Sequence, residues 1–230
     1  MKTKILCMAL LGSLCMPLWA QQVFDMTSLG VVPGKKTNMS PRVEKALDKI
    51  RRQAVSGEEV VLRFTPGVYH FYPNDAVERE YYISNHDQTN PKKVGLALEN
   101  FQNLTIEGNG AKFVFHGQML PVSLLHTSNC TLKDFSIDFA NPHIAQVEIL
   151  KNEGDKGMTF RVAPWVVYRI TKDSIFETYG EGWKLRPSSG IAFEKDTRHV
   201  VYNTSDLFYS TKGVTKVDKD VLYAPQWKDK

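Results

Sequence analysis

Apolar residues along this chain come in short, strand-sized bursts, and two stretches repeat each other at a spacing of 26 residues. Leu96, Leu98, Asn103, Thr105, Ile106 and Phe113 return as Val122, Leu124, Asn129, Thr131, Leu132 and Phe139. A repeat of this length, built of strand-like pieces, predicts stacked coils, each burying its apolar face against the next. The two coils span residues 94–140. Asn103 and Asn129 mark one corner, and Gly108-Asn109-Gly110 and Lys133-Asp134 mark the next. Cys130 then matches Leu104 one coil away and reads as a packing residue.

Other elements flank the repeat. Val23–Met26, Val60–Phe64 and Val68–Tyr72 read as strands, with Thr65-Pro66-Gly67 as a stop between the last two. Residues 73–93 are polar and predict a long loop with a short strand at Tyr81–Ile83. One helix is clear: Val43, Ala46, Leu47, Ile50 and Ala54 form a single stripe at helical spacing. Ser40 is placed to cap it, Pro41 suits its first turn and Gly57 its end. Such a helix would shield the open apolar end of the first coil, as solenoid caps must. After Pro142 the repeat stops. Val147–Leu150, Met158–Val162 and Val166–Ile170 read as antiparallel strands, and Gly190–Phe193, Val200–Tyr202, Leu207–Tyr209 and Val221–Tyr223 extend the set. The predicted fold is therefore all-β: a right-handed parallel β-helix with an N-terminal capping helix and a small inserted antiparallel β-barrel. Residues 21–142 hold the cap and first coils, and 143–230 the inserted region. Two coils are few for a solenoid, so the chain is expected to be the N-terminal portion of a longer protein.

The first twenty residues stand apart. Lys2 and Lys4 precede an apolar run, Ile5 to Leu14, with Pro17 and Ala20 after it. This is a signal-peptide pattern with cleavage after Ala20, so residues 1–20 are expected to be removed and the protein exported to the periplasm, cell surface or medium. Cys15 raises the alternative of a lipid-anchored cysteine, against which Leu14 counts, being bulky where a small residue is wanted. The run is too short to span a bilayer, and no integral membrane segment is expected. Removal of the signal takes Cys7 and Cys15 with it.

Composition narrows the chemistry. The 230 residues carry a formal charge of +4, with 42% apolar and 23% charged residues. Arg51-Arg52 and Lys92-Lys93 are isolated basic pairs rather than a stripe, which argues against nucleic acid as a partner. The six histidines are scattered, with no paired cysteines, so neither a metal site nor a cofactor is expected. No nucleophile elbow, phosphate loop or dinucleotide fingerprint is present. Carboxylates remain. Glycosidic cleavage uses one carboxylic acid to protonate the leaving oxygen and a second carboxylate as base or nucleophile. Asp134, Asp138 and Glu107 are borne on the repeat. Asp134 reads as a turn residue, Glu107 as solvated, and Asp138 as an outward group open to ligand or water. His86 and Asp87, in the cluster Asn85-His86-Asp87-Gln88, sit in the kind of loop that carries ligand contacts, although an Asx turn accounts for them equally. Trp165, Tyr168, Tyr179 and Trp183 suit either sugar stacking or core packing. Asn103-Leu104-Thr105 and Asn129-Cys130-Thr131 match the glycosylation sequon, but their shared repeat position favours a ladder of turn asparagines.

Longer blocks carry a resemblance. Val61–Tyr69 and Asn103–Gly108 resemble the first coils of pectin-lyase-like β-helices. Glu80–Gln88 with Asn90–Gly95, Phe135–Phe139 with Pro142–Val147, and Gly190–Phe193 with His199–Asn203 resemble the exported α-1,3-galactosidases of glycoside hydrolase family 110. The resemblance implies a metal-independent, inverting hydrolase that removes terminal α-1,3-linked galactose from oligosaccharides or glycoconjugates, including blood-group B glycans. It also implies catalytic aspartates in later coils, beyond Lys230, so no catalytic residue is assigned in this chain. Asp87, Asp138 and His86 stand as candidate substrate contacts. A polysaccharide lyase and a non-catalytic glycan-binding β-helix are the competing readings.

Overall fold

The structure is a computed structural model that describes residues 21–34, 36–82, 90–204 and 207–228. Residues 1–20, the expected signal peptide, and the loop cluster holding His86 and Asp87 lie outside the described residues.

The first part of the chain holds β1 (Gln21–Asp25), α1 (Ser40–Gln53), β2 (Glu59–Arg63), β3 (Val68–Phe71), β4 (Val77–Arg79), β5 (Lys92–Glu99), β6 (Leu104–Phe115), β7 (Leu120–Leu125) and β8 (Thr131–Phe139). Three ladders run through it. The order β1, β2, first half of β6, first half of β8 is parallel throughout. The second halves of β6 and β8 continue beside β3, again parallel. β5 pairs parallel with β7, while β4 lies antiparallel on the outer side of β5. All three ladders point side chains into one core. Leu62, Phe64, Tyr69, Phe71, Leu96, Leu98, Leu104, Ile106, Phe113 and Phe115 are all buried there. Its centre is aromatic: Phe64 meets Tyr69 and Phe113 edge-on at 5.5 and 5.0 Å, and Phe71 stacks on Phe115 at 4.7 Å. Each such ring, fully withdrawn from water, contributes about 1.5–3 kcal/mol.

The 26-residue repeat is a pairing register over most of its length. Leu96 faces Val122, Leu98 faces Leu124, Thr105 faces Thr131 and Ile106 faces Leu132. The final pair is corrected. Phe113 faces Ile137, and Phe139 faces Phe115. The register shifts where Gly108-Asn109-Gly110 lies opposite the single residue Asp134, so β6 carries two residues more than β8 at this corner. Gly108 tolerates no side chain there, because a Cβ would sit 2.5 Å from the Asp134 carbonyl oxygen and from the Phe135 Cβ.

The helix places Val43, Ala46, Leu47 and Ile50 in the same core, across from β5. Its ends differ from expectation. Ser40 is helical rather than the cap, and its hydroxyl donates to the Tyr72 carbonyl at 2.8 Å. The Asn38 side chain accepts the Ser40 N–H instead, at 2.9 Å. The helix stops at Gln53 because Ala54 turns extended (ψ 130°), before Gly57 is reached. Arg51 and Arg52 in the last turn complement the helix dipole. The short strand expected at Tyr81–Ile83 falls at Val77–Arg79 instead, next to β5; Ile83 lies outside the described residues.

The remaining strands are β9 (Val147–Asn152), β10 (Met158–Val162), β11 (Tyr168–Ile170), β12 (Phe176–Gly180), β13 (Trp183–Leu185), β14 (Ser189–Gly190), β15 (Leu207–Phe208), β16 (Thr215–Asp218) and β17 (Val221–Ala224). Every pairing among them is antiparallel. They form three separate small sheets, and none closes on itself among the described residues, so the expected barrel is not seen as a closed one. A second core lies here, with Phe160 stacked on Trp227 at 4.4 Å and Phe176 edge-on to Phe160 at 5.7 Å.

One seam joins the two parts. His116 Nδ1 lies 2.9 Å from both Glu181 oxygens, and the Gly117 N–H donates to Glu181 at 3.3 Å. Asn141 packs against Gly180, and the His143 ring stands edge-on to Trp183 at 5.1 Å. Asn141 Oδ1, His143 Nε2, Thr178 Oγ1 and Trp183 Nε1 are buried here without protein partners among the described residues. The seam is therefore polar, unlike either core. No helix among the described residues is long and apolar enough to cross a membrane.

Candidate functional site

The ladders turn alternate side chains outward, and the polar chemistry of the first part of the chain is set out along them. Glu107 on β6 is bridged on both sides, by Arg63 Nε of β2 at 2.9 Å and Lys133 Nζ of β8 at 3.2 Å. It is an ion-paired rung rather than the solvated residue expected, and the Arg63 hydrogen bond, followed by that to Lys133, holds its carboxyl below the usual range. Asp138 points outward as expected, and its backbone partner is Val114, where the 26-residue spacing alone would give Lys112. The two-residue shift at the corner moves Lys112 to a diagonal position, from which its Nζ reaches Asp138 Oδ2 at 3.0 Å. That contact depresses the Asp138 carboxyl. Asp134, expected in a turn, lies inside β8 at its corner, where its backbone is left-handed at φ +60°. It helps line an open groove at the corner together with Asn109, Gly110, Phe135 and Ser136.

The asparagine corner is a ladder. Asn103 and Asn129 both hold left-handed backbone, φ +54° and +52°, and Asn129 Nδ2 donates to Asn103 Oδ1 at 3.0 Å. Asn and Gly tolerate that conformation best, which explains why the same residue recurs there.

Three polar clusters were not foreseen from the sequence. The first ties α1 to the third ladder. Glu99 accepts Arg79 Nε at 2.7 Å and the Tyr81 hydroxyl at 2.9 Å, and Arg51 Nη2 donates to the Ala97 carbonyl at 2.7 Å. The Arg79 hydrogen bond lowers the Glu99 carboxyl, whereas burial raises that of neighbouring Glu44. The second lies at the seam. His116, 5% exposed, bridges Glu181 to His70, whose Nδ1 lies 2.9 Å from His116 Nε2. Tyr72 stacks on His116 at 3.9 Å and 13°. Burial lowers the His70 imidazole and raises the Tyr72 phenol. The third is on β11–β13, where Glu177 is enclosed by Arg169, Lys184 and Arg186. The hydrogen bond from Arg169 is the largest influence holding its carboxyl down at about 2.

The first two clusters join residues far apart in sequence, and the third joins side chains of neighbouring strands, so no local pattern reveals them. The one available signal was alignment of the first coil on the second at a spacing of 44, which sets Tyr72 beside His116. The aromatic residues divide. Trp183 is 8% exposed and Tyr168 packs on Phe176 while donating to Asp220, whereas Trp165 and Tyr179 remain near 40% exposed, at 40% and 38%. Among the described residues no group of three His, Cys, Asp or Glu side chains is arranged to hold a metal ion. The outward carboxylates Glu107, Asp138 and Glu148 each face a cation and are held as anions. In that state a carboxylate can accept hydrogen bonds or act as a base, but cannot protonate a leaving group.

Comparison with known proteins adds to this geometry. Residues 145–230 match the family described as GLAA-B β-barrel domain I. A curated protein of Phocaeicola vulgatus, named α-1,3-galactosidase B, is 57% identical over 94% of this chain and 36% of its own length. One of Bacteroides fragilis, similarly named, is 55% identical over 91% of the chain and 35% of its own length. A third, of Parabacteroides distasonis, is 47% identical over 98% of the chain and 36% of its own length. The chain spans about a third of the length of these relatives.

Proposed function

We propose, from the premise that this chain is kin to the α-1,3-galactosidases B over nearly all of its length, that it forms part of a glycoside hydrolase removing terminal α-1,3-linked galactose. The substrate in this reading is a galactose-terminated oligosaccharide or glycoconjugate of blood-group B type, and the protein is exported by its first twenty residues. The scaffold is a right-handed parallel β-helix. Three parallel ladders sharing one aromatic core support that reading, as does β8, whose Ile137, in register with the buried Phe113, is 45% exposed.

The mechanism proposed is inversion by two carboxylates about 6.5–9.5 Å apart, one acid and one base. The ion-paired state of Glu107, Asp138 and Glu148 supports placing the acid–base pair elsewhere, on coils for which the relatives' greater length gives room. Asp138, with Asp87 and His86, is then a contact to the glycan rather than a reacting group.

The observation that carries the reading is the 57% identity to a protein named α-1,3-galactosidase B. Its test is galactose release from an α-1,3-galactosyl oligosaccharide by a form of the protein as long as those relatives, followed by NMR from the first turnovers. β-Galactose appearing first supports inversion. α-Galactose first refutes the mechanism, and glycan binding with no release refutes the hydrolase.

A further inference from the structure

The sheet β11–β12–β13 carries a charge arrangement that neither its core nor the proposed hydrolysis uses. Arg169 lies beside Glu177 across one strand pair, and Lys184 lies beside Tyr179 across the other. Strand alternation puts Glu177 and Tyr179 on the same face, opposite the buried Phe176 and Thr178. Glu177 is 1% exposed, while the side chains of Arg169, Lys184 and Arg186 are 55%, 51% and 57% exposed. One enclosed anion against three half-exposed cations leaves this face with surplus positive charge.

The donors are only partly used. Arg169 gives Nε and Nη2 to one Glu177 oxygen at 3.0 and 2.8 Å. Arg186 gives its Nε and Lys184 its Nζ to the other, at 3.0 and 3.2 Å. Arg169 Nη1 and both terminal nitrogens of Arg186 have no partner among the described residues. Glu177 thus fixes the cations from below while their outer donors face solvent. Beside them Tyr179 and Val167 are 38% and 44% exposed and share a backbone hydrogen bond. Guanidinium forks match the oxygens of a carboxylate or sulfate, and an exposed tyrosine ring suits the apolar face of a sugar. The surplus is confined to one three-stranded sheet, which matches a single charged group rather than a run of phosphates.

We infer that this face is a subsite for an anionic sugar, one bearing a sulfate ester or a carboxylate, on the glycan the protein engages. That the ligand is a sugar rests on the function proposed above; that it is an oxyanion rests on the charge arrangement alone. The chain is titrated by calorimetry with a sulfated galactosyl oligosaccharide, a sialylated one, their neutral parent and inorganic sulfate. At least one anionic sugar is expected to bind about fivefold or more tighter than the neutral parent, and added salt should weaken that preference. The Lys184→Ala/Arg186→Ala variant should lose the preference while keeping any affinity for the neutral parent. Arg186→Gln serves if the double variant does not fold. Equal binding of anionic and neutral sugars, or a preference that survives in the folded variant, overturns the subsite. Inorganic sulfate binding as tightly as the sulfated sugar overturns its sugar specificity. Binding requires no turnover, so failure here leaves the galactose-release test untouched, and the reverse holds as well.

Discussion

At Asn129 a single side chain satisfies two demands. It occupies left-handed backbone at φ +52° and donates to its counterpart Asn103 at 3.0 Å. Asn129→Ala removes the bond and puts a Cβ-bearing residue with no compensating polar group into that conformation, so unfolding in urea should show a loss of about 1–3 kcal/mol. Asn129→Gly keeps the backbone at ease and should lose less. Glu177 gives a pH prediction. Its folded value, about 2, lies below the ordinary 4.5, with the Arg169 hydrogen bond as the main cause. The stability it contributes is complete above the ordinary value, falls as pH drops from about 4.5 toward 2, and is gone below both. Melting temperatures of the wild type and Glu177→Gln should therefore converge as the solution is acidified through that window. The asparagine corner was legible in the sequence because turn residues keep their spacing. The Glu177 cluster was not, because its cations come from neighbouring strands and nothing local marks them as partners.

Helix α1 packs against β5 and β4, and Ile50 is fully buried in the core they share. Ile50→Ala should cost about 2–5 kcal/mol in chemical denaturation, whereas Arg52→Ala, on the exposed face, should change stability by no more than about 0.5 kcal/mol. The apolar stripe made this helix readable. Its cap was misassigned because Met39 holds the cap position without a side-chain hydrogen bond, while Asn38, just outside it, accepts the Ser40 N–H. The strands of the repeat were legible for the same reason as the helix: each apolar position has a partner in register. The shift inside β6 was not, since a count of 26 takes no notice of the two additional residues at Gly108–Gly110. A count of 26 would set Asp138 opposite Lys112, whereas its backbone neighbour is Val114 and Lys112 reaches it from the diagonal. Gly108→Ala should destabilise by about 1–3 kcal/mol, because the atoms its Cβ would meet include the fixed Asp134 backbone; thermal unfolding measures it.

Across the molecule, two apolar cores meet at a polar seam, and the His116–Glu181 contact at 2.9 Å spans it. Glu181→Ala should loosen the seam while sparing both cores. Calorimetry should then resolve two transitions, against a single one expected for the intact protein, and a protease should gain access near 140–146. The two parts were separable in the sequence, since the repeat ends where alternating strands begin. Their connection was not, because it joins residues 65 apart. The corner at Gly108–Gly110 has a broader consequence. Two surplus residues are absorbed there while Glu107 still faces Lys133 before it and Phe115 faces Phe139 after it. Chain length is thus buffered at this bend, and a short graft between Asn109 and Gly110 would be carried on the rim of the groove, whereas one residue added inside β6 would turn its aromatic rings to solvent.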